Sequence, residues 1–67
     1  MKFVAILKAV YREYGVDFCY VADHIGIDDE VVKNWEKETS YPNEEELKKF
    51  SDLFAIPYSV LKKSIHE

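Results

Sequence analysis

Cys19, His24 and His66 are the side chains with which this chain could build a nucleophile or a metal site. A catalytic thiol needs a base within hydrogen-bond reach, and a structural zinc needs a set of closely paired ligands. Cys19 and His24 lie five residues apart, which on a helix places them on different faces. His66 has nothing beyond coexistence to connect it to either. One cysteine and two distant histidines do not make a zinc set, and there is neither a glycine-rich phosphate loop nor a His-Glu-x-x-His pattern. Cys19 therefore reads as a small, partly buried helix residue, His24 as solvated beside Asp23, and His66 as part of a frayed tail. No catalytic residue, metal, cofactor or small-molecule ligand is inferred, and the chain is not expected to be an enzyme.

Charge carries more information than nucleophiles do. The formal net charge is −4, but it is unevenly spread. Residues 1–16 carry Lys2, Lys8 and Arg12 against Glu13, a balance of +2, and residues 47–67 carry Lys48, Lys49, Lys62 and Lys63 against Asp52 and Glu67, again +2. Residues 17–46 hold ten acids against Lys33 and Lys37, a balance of −8. Many of these acids fall at expected helix starts, where caps and the macrodipole favour them by about 0.3 to 1 kcal/mol each. The negative total argues against generic affinity for nucleic acid, which is driven by neutralising phosphates.

Positioning those charges falls to helices. A chain of 67 residues with one cysteine has no staple, and a single core of this size supplies only about 3 to 5 kcal/mol. Helix packing, or a partner, has to hold it, and a 48% hydrophobic share with ten aromatics can support the packing. No run approaches the roughly 18 apolar residues of a membrane span, and Lys8 interrupts any signal-peptide core, so no membrane association and a reduced, cytoplasmic setting are expected.

The apolar spacing predicts five helices in one domain spanning residues 1–67. Phe3, Leu7, Val10 and Tyr14, with Ile6 and Tyr11 beside them, give a first amphipathic helix over residues 2–14, ended by Gly15. Asp17 caps a second that runs to Ile25 with Val21, Ala22 and Ile25 inward, and Asp28 caps a third that runs to Lys37 with Val31 or Val32 and Trp35 inward. Gly26 turns the chain left-handed between them, and Ala22 is small enough to let the two helices cross closely. After a loop over 38–42, Asn43 with Glu46 forms a capping-box start for a fourth helix burying Leu47, Phe50, Leu53 and Phe54. Pro57 opens a short fifth helix with Tyr58, Leu61 and Ile65 inward. Two helices crossing through a short glycine turn are the helix-turn-helix layout.

The chain also resembles the Cro and phage-repressor type of helix-turn-helix domain, the xenobiotic-response-element family. The residues that carry the resemblance are Val21-Ala22, Ile25-Gly26-Ile27, Val32, Trp35-Glu36-Lys37, Ser40, Pro42 and Leu47, with a weaker match at Phe54-Ala55-Ile56-Pro57 and Leu61. It covers nearly the whole chain and implies an all-α, compact, five-helix lambda-repressor-like domain whose third helix reads the DNA major groove. Free-standing domains of this length resemble phage or mobile-element switch proteins.

The matched positions are core and turn positions, so function has to be argued from the exposed ones. Where the family commonly begins the second helix with glutamine, this chain has Phe18, and early in the third helix it has Asp29 and Glu30 in place of basic or small polar residues. The following loop reads Glu38, Thr39, Ser40, Tyr41 where glycine and lysines are usual. Two functions are expected. In the favoured one, an acidic, aromatic-bearing face of Phe18, Asp28, Asp29, Glu30, Glu38 and Tyr41 binds the basic DNA-reading surface of a partner repressor, as an antirepressor does. In the alternative, the chain is a homodimeric operator-binding repressor that contacts DNA through Lys33, Asn34 and Lys37, with Ser40 donating to a phosphate.

Overall fold

Glycines and capping side chains place most of the helix boundaries. A computed structural model that describes residues 1–66 contains α1 (Phe3–Tyr14), α2 (Phe18–Ile25), α3 (Asp29–Glu36), α4 (Glu44–Phe54) and α5 (Tyr58–Ile65), and no strand among the described residues. The expected all-α class holds, in a body 25 × 24 × 21 Å across. Among the described residues no helix is long and apolar enough to cross a membrane.

Gly15 at φ 65° and Gly26 at φ 86° end α1 and α2 in the left-handed conformation that only glycine adopts without cost. The carbonyl of Ala22 then receives two N–H groups, from Gly26 at 2.8 Å and Ile27 at 3.0 Å, so the end of α2 is satisfied by backbone. α4 ends in the same way without a glycine. Ala55 sits at φ 55°, Ile56 N–H bonds the carbonyl of Ser51 at 3.1 Å, and the Ser51 hydroxyl donates to the carbonyl of Ile56. A left-handed residue with a Cβ costs about 1 to 2 kcal/mol.

At the helix starts two caps form as expected and one does not. Asp17 accepts from Tyr20 N–H at 3.2 Å; Asn43 accepts from Glu46 N–H at 2.8 Å while Glu46 accepts from Asn43 N–H at 2.9 Å. The expected side-chain cap by Asp28 is corrected: its carboxylate takes no cap hydrogen bond. The first turn of α3 is closed by backbone instead, Val31 N–H to the carbonyl of Asp28 at 3.0 Å. The Asp28 carboxylate is thereby left exposed.

The core is built from the expected stripes of all five helices. Leu7, Val21, Ala22, Val32, Phe50 and Leu61 are fully inaccessible, and Val32 rather than Val31 is the inward valine of α3. α2 packs more extensively on α3 than any other pair, with Ala22 buried within that crossing helix. Leu53, Tyr58 and Ile65 are half-buried at the margin. Tyr14 departs from expectation: it is 54% exposed, because the last turn of α1 runs past the core. Its ring still lies 5.1 Å from that of Phe54, and its hydroxyl donates to the Phe54 carbonyl at 3.1 Å.

A polar tie joins α1 to α3, where Tyr11 Oη–H donates to Glu36 Oε2 at 2.6 Å. Desolvation, and then the carboxylate it donates to, push the Tyr11 phenol well above its ordinary value. The folded-state value is raised, so the contribution of this bond is intact below the unfolded phenol pKa near 10 and is lost as pH rises beyond it.

Two outcomes follow for stability. Ala55→Gly relieves the left-handed strain but gives the unfolded chain more freedom, for a net gain of about 0.5 to 1 kcal/mol in chemical denaturation; a loss would show that Ala55 is not strained. Tyr11→Phe should cost about 1 to 2 kcal/mol at pH 7. In urea titrations over a pH series, that deficit should shrink above about pH 10.

Candidate functional site

The outward face of α3 is fixed by its inward one. Val32 and Trp35 point to the core, so Glu30, Lys33, Asn34 and Lys37 fall on the opposite side of the helix, with Asp29 turned towards α2. Asp28, Asp29, Glu30 and Lys37 are exposed; Lys33 and Asn34 are half-buried.

The start of α2 lies against this face. The Lys33 ammonium sits 4.9 Å from the centre of the half-buried Phe18 ring, a cation–π contact that draws this lysine back onto the protein. Beside it Cys19 is exposed, not partly buried as the sequence led us to expect, and its thiol donates to Asp29 Oδ2 at 3.5 Å. Desolvation, then the hydrogen bond to and charge of the Asp29 carboxylate, raise the Cys19 thiol above its ordinary pKa. A thiol held protonated is a poor nucleophile. Among the described residues no group of three or more His, Cys, Asp or Glu side chains is placed to hold a metal ion.

The remaining site candidates stand apart from this patch. Glu38, at φ 60°, turns the chain after α3 and reaches Lys2 Nζ at 3.9 Å, an exposed pair of little energetic weight. Thr39 folds back so that its N–H and its hydroxyl both donate to the Asn34 carbonyl, at 3.0 and 3.2 Å. Half-buried Ser40 and exposed Tyr41 occupy the loop before α4 and share no hydrogen bond, ion pair or ring contact with the Phe18–Lys33 patch among the described residues. The structure thus joins Phe18, Asp29 and Lys33, keeps Asp28 and Glu30 on the adjoining helix turn, and leaves Glu38 and Tyr41 outside.

The acids of the −8 segment also separate into two kinds. Glu44 and Glu45, in the first turn of α4, pair with Lys48 at 3.3 Å and Lys49 at 3.7 Å four residues on, and Glu46 closes the capping box. Glu36 is taken by Tyr11. Asp28, Asp29 and Glu30 form no ion pair among the described residues, and Asp28 does not even cap its helix.

Several of these contacts were invisible in the sequence. Cys19–Asp29 and Phe18–Lys33 join positions 10 and 15 apart whose meeting depends on the crossing of α2 and α3. His24 had a readable signal: it stacks on Tyr20, one helical turn earlier, with ring centres 4.0 Å apart and Nδ1 2.9 Å from the Tyr20 carbonyl, rather than standing free beside Asp23. No protein-family model, curated protein or solved structure matches the chain.

The thiol offers a direct probe of the patch. Cys19 should be alkylated more slowly near pH 8 than the thiol of an unstructured peptide, and Asp29→Asn should speed it by removing the carboxylate that stabilises the protonated form. Equal rates in the two proteins would show that Cys19 and Asp29 do not interact.

Proposed function

We propose that the chain is a small helix-turn-helix transcriptional regulator, of phage or mobile-element type, that acts by binding a protein. In this reading the start of α3 docks against the basic DNA-reading surface of a partner repressor and blocks it. The observation that carries it is the exposed cluster Asp28, Asp29 and Glu30, which forms no ion pair among the described residues. The first-turn acids of α4, by contrast, are paired with lysines or close the capping box. Left exposed at the end of a helix that would otherwise face phosphate, the acids of α3 oppose the attraction on which non-specific DNA affinity depends. They complement a surface built to attract phosphate. Phe18 adds an apolar neighbour, and its contact with Lys33 withdraws one of the few cations that could offset the acids.

One observation favours the alternative, a homodimeric operator-binding repressor. Lys37 is exposed, has no partner among the described residues, and follows Lys33 by one helical turn. Those two lysines with Asn34 are side chains on the outward face of α3 that can donate to base edges or phosphates.

Gel retardation at about 50 mM salt, where phosphate contacts bind best, separates the two. Under the protein-binding reading the chain shows little affinity for duplex DNA and instead displaces a partner repressor from its operator. Asp29→Arg with Glu30→Lys then weakens the partner complex about tenfold or more, on the order of 1.4 kcal/mol, because like charges face each other. Specific retardation of one operator by the chain alone, lost in Lys37→Ala, would reverse the order of the two readings.

A further inference from the structure

The turn between α1 and α2 has used its hydrogen-bond donors and kept its acceptors. Gly15 N–H and Val16 N–H both bond the carbonyl of Tyr11, the second at 3.0 Å, and Tyr20 N–H bonds Asp17 Oδ1 at 3.2 Å. The carbonyls of Gly15 and Val16 and the second carboxylate oxygen of Asp17 accept no hydrogen bond among the described residues. Nor does Asp17 form an ion pair among them. Gly15, Val16 and Asp17 line a surface depression together with Tyr20, and no lysine or arginine borders it.

The Tyr20 ring is held in place at this depression. His24 stacks on it with centres 4.0 Å apart and Phe54 of α4 lies 6.4 Å away, yet Tyr20 stays 37% exposed. An electron-rich ring beside a carboxylate attracts a cation twice, through the ring quadrupole and through the charge. Guanidinium fits both features: it is planar, carries five donors in a fixed fork and stacks on aromatic faces, so it can bond a carboxylate and backbone carbonyls while lying against a ring. Ammonium is a compact, strongly hydrated point charge and gains less from the ring. A phosphate would be repelled by Asp17.

We infer that the depression between the α1–α2 turn and Tyr20 receives an arginine side chain of a protein partner, its guanidinium bonded to Asp17 and stacked on Tyr20. The place is separate from the acidic start of α3, because Tyr20 packs towards α4 whereas its neighbour Cys19 faces Asp29. The inference therefore does not depend on what the start of α3 binds.

Hexa-arginine and hexa-lysine peptides carry the same charge and differ in head group, which makes them the probes for an amide-resolved NMR titration of the full chain. Hexa-arginine should bind the wild type about threefold or more tighter than hexa-lysine, with its largest shifts at Gly15, Asp17 and Tyr20. Asp17→Asn keeps a capping side chain but removes the charge, and Tyr20→Leu removes the ring; each should weaken hexa-arginine about threefold or more and abolish its advantage. Tyr20→Phe keeps the ring and should keep the advantage. Glu44→Gln, which removes one charge at the end of α4 opposite Phe54, should also leave it unchanged. Equal affinity of the wild type for the two peptides, an advantage that survives Asp17→Asn or Tyr20→Leu, or largest shifts at residues 28–30 in place of 15–20 would each overturn the inference. So would a thymidine oligonucleotide that shifts the same amides more strongly than hexa-arginine, since Tyr20 would then be a base-stacking platform.

Discussion

The rings of Phe3, Trp35 and Phe50 meet in series at the centre of the molecule, Phe3 edge-on to Trp35 with centres 5.8 Å apart and tilted against Phe50 at 5.4 Å. They come from α1, α3 and α4, so this one contact chain joins segments as far apart as residues 3 and 50. Helices of eight residues, the length of α2, α3 and α5, are not stable in isolation and exist here only because burial holds them. No disulfide can substitute, since the chain has one cysteine. The indole nitrogen of Trp35 finds no acceptor among the described residues, so the side chain works through the burial and edge contact of its rings.

That anchoring decides which surface α3 presents. With Val32 and Trp35 committed inward, the helix has no freedom to rotate Glu30, Lys33 or Lys37 away from the outside. The Tyr11–Glu36 bond adds a second restraint at the end of α3, and Lys49 reaches the last carbonyl of α2 at 3.4 Å, fixing α4 beside the crossing. The exposed charges are therefore carried on a frame held by contacts with α1, α2 and α4.

Where a boundary is set by local chemistry, it could be read from the sequence. Gly15, Gly26, Asp17 and the Asn43–Glu46 box each act through residues within one turn, and each does what its type predicts. Elsewhere the sequence was silent or misleading. Ala55 takes a glycine's conformation because Ser51 and Ile56 close the turn around it, and nothing in its side chain announces that. Tyr14 continues the apolar stripe of α1 by spacing, yet the stripe outruns the core it covers. In the candidate site the acids themselves were legible, but not which of them were already engaged. Asp29, like Glu44 and Glu45, has a lysine four residues on, but Lys33 lies over the Phe18 ring and forms no ion pair, whereas Lys48 and Lys49 pair with Glu44 and Glu45.

The position of the acids within α3 lowers the cost of keeping them unpaired. Three carboxylates in consecutive positions repel one another, but at a helix N-terminus the unsatisfied N–H groups and the macrodipole offset part of that repulsion. Elsewhere on the surface the same cluster would need counterions or lysines, and a neutralised cluster has little left to offer a cationic partner. Because Asp28 leaves the capping of Val31 to its own backbone carbonyl, its carboxylate stays exposed beside that of Glu30, while Asp29 faces the start of α2. Apart from the one thiol bond that Asp29 accepts from Cys19, the helix start stabilises the charges through the dipole without consuming their hydrogen-bonding capacity, and that capacity is what an arginine- or lysine-bearing surface would use.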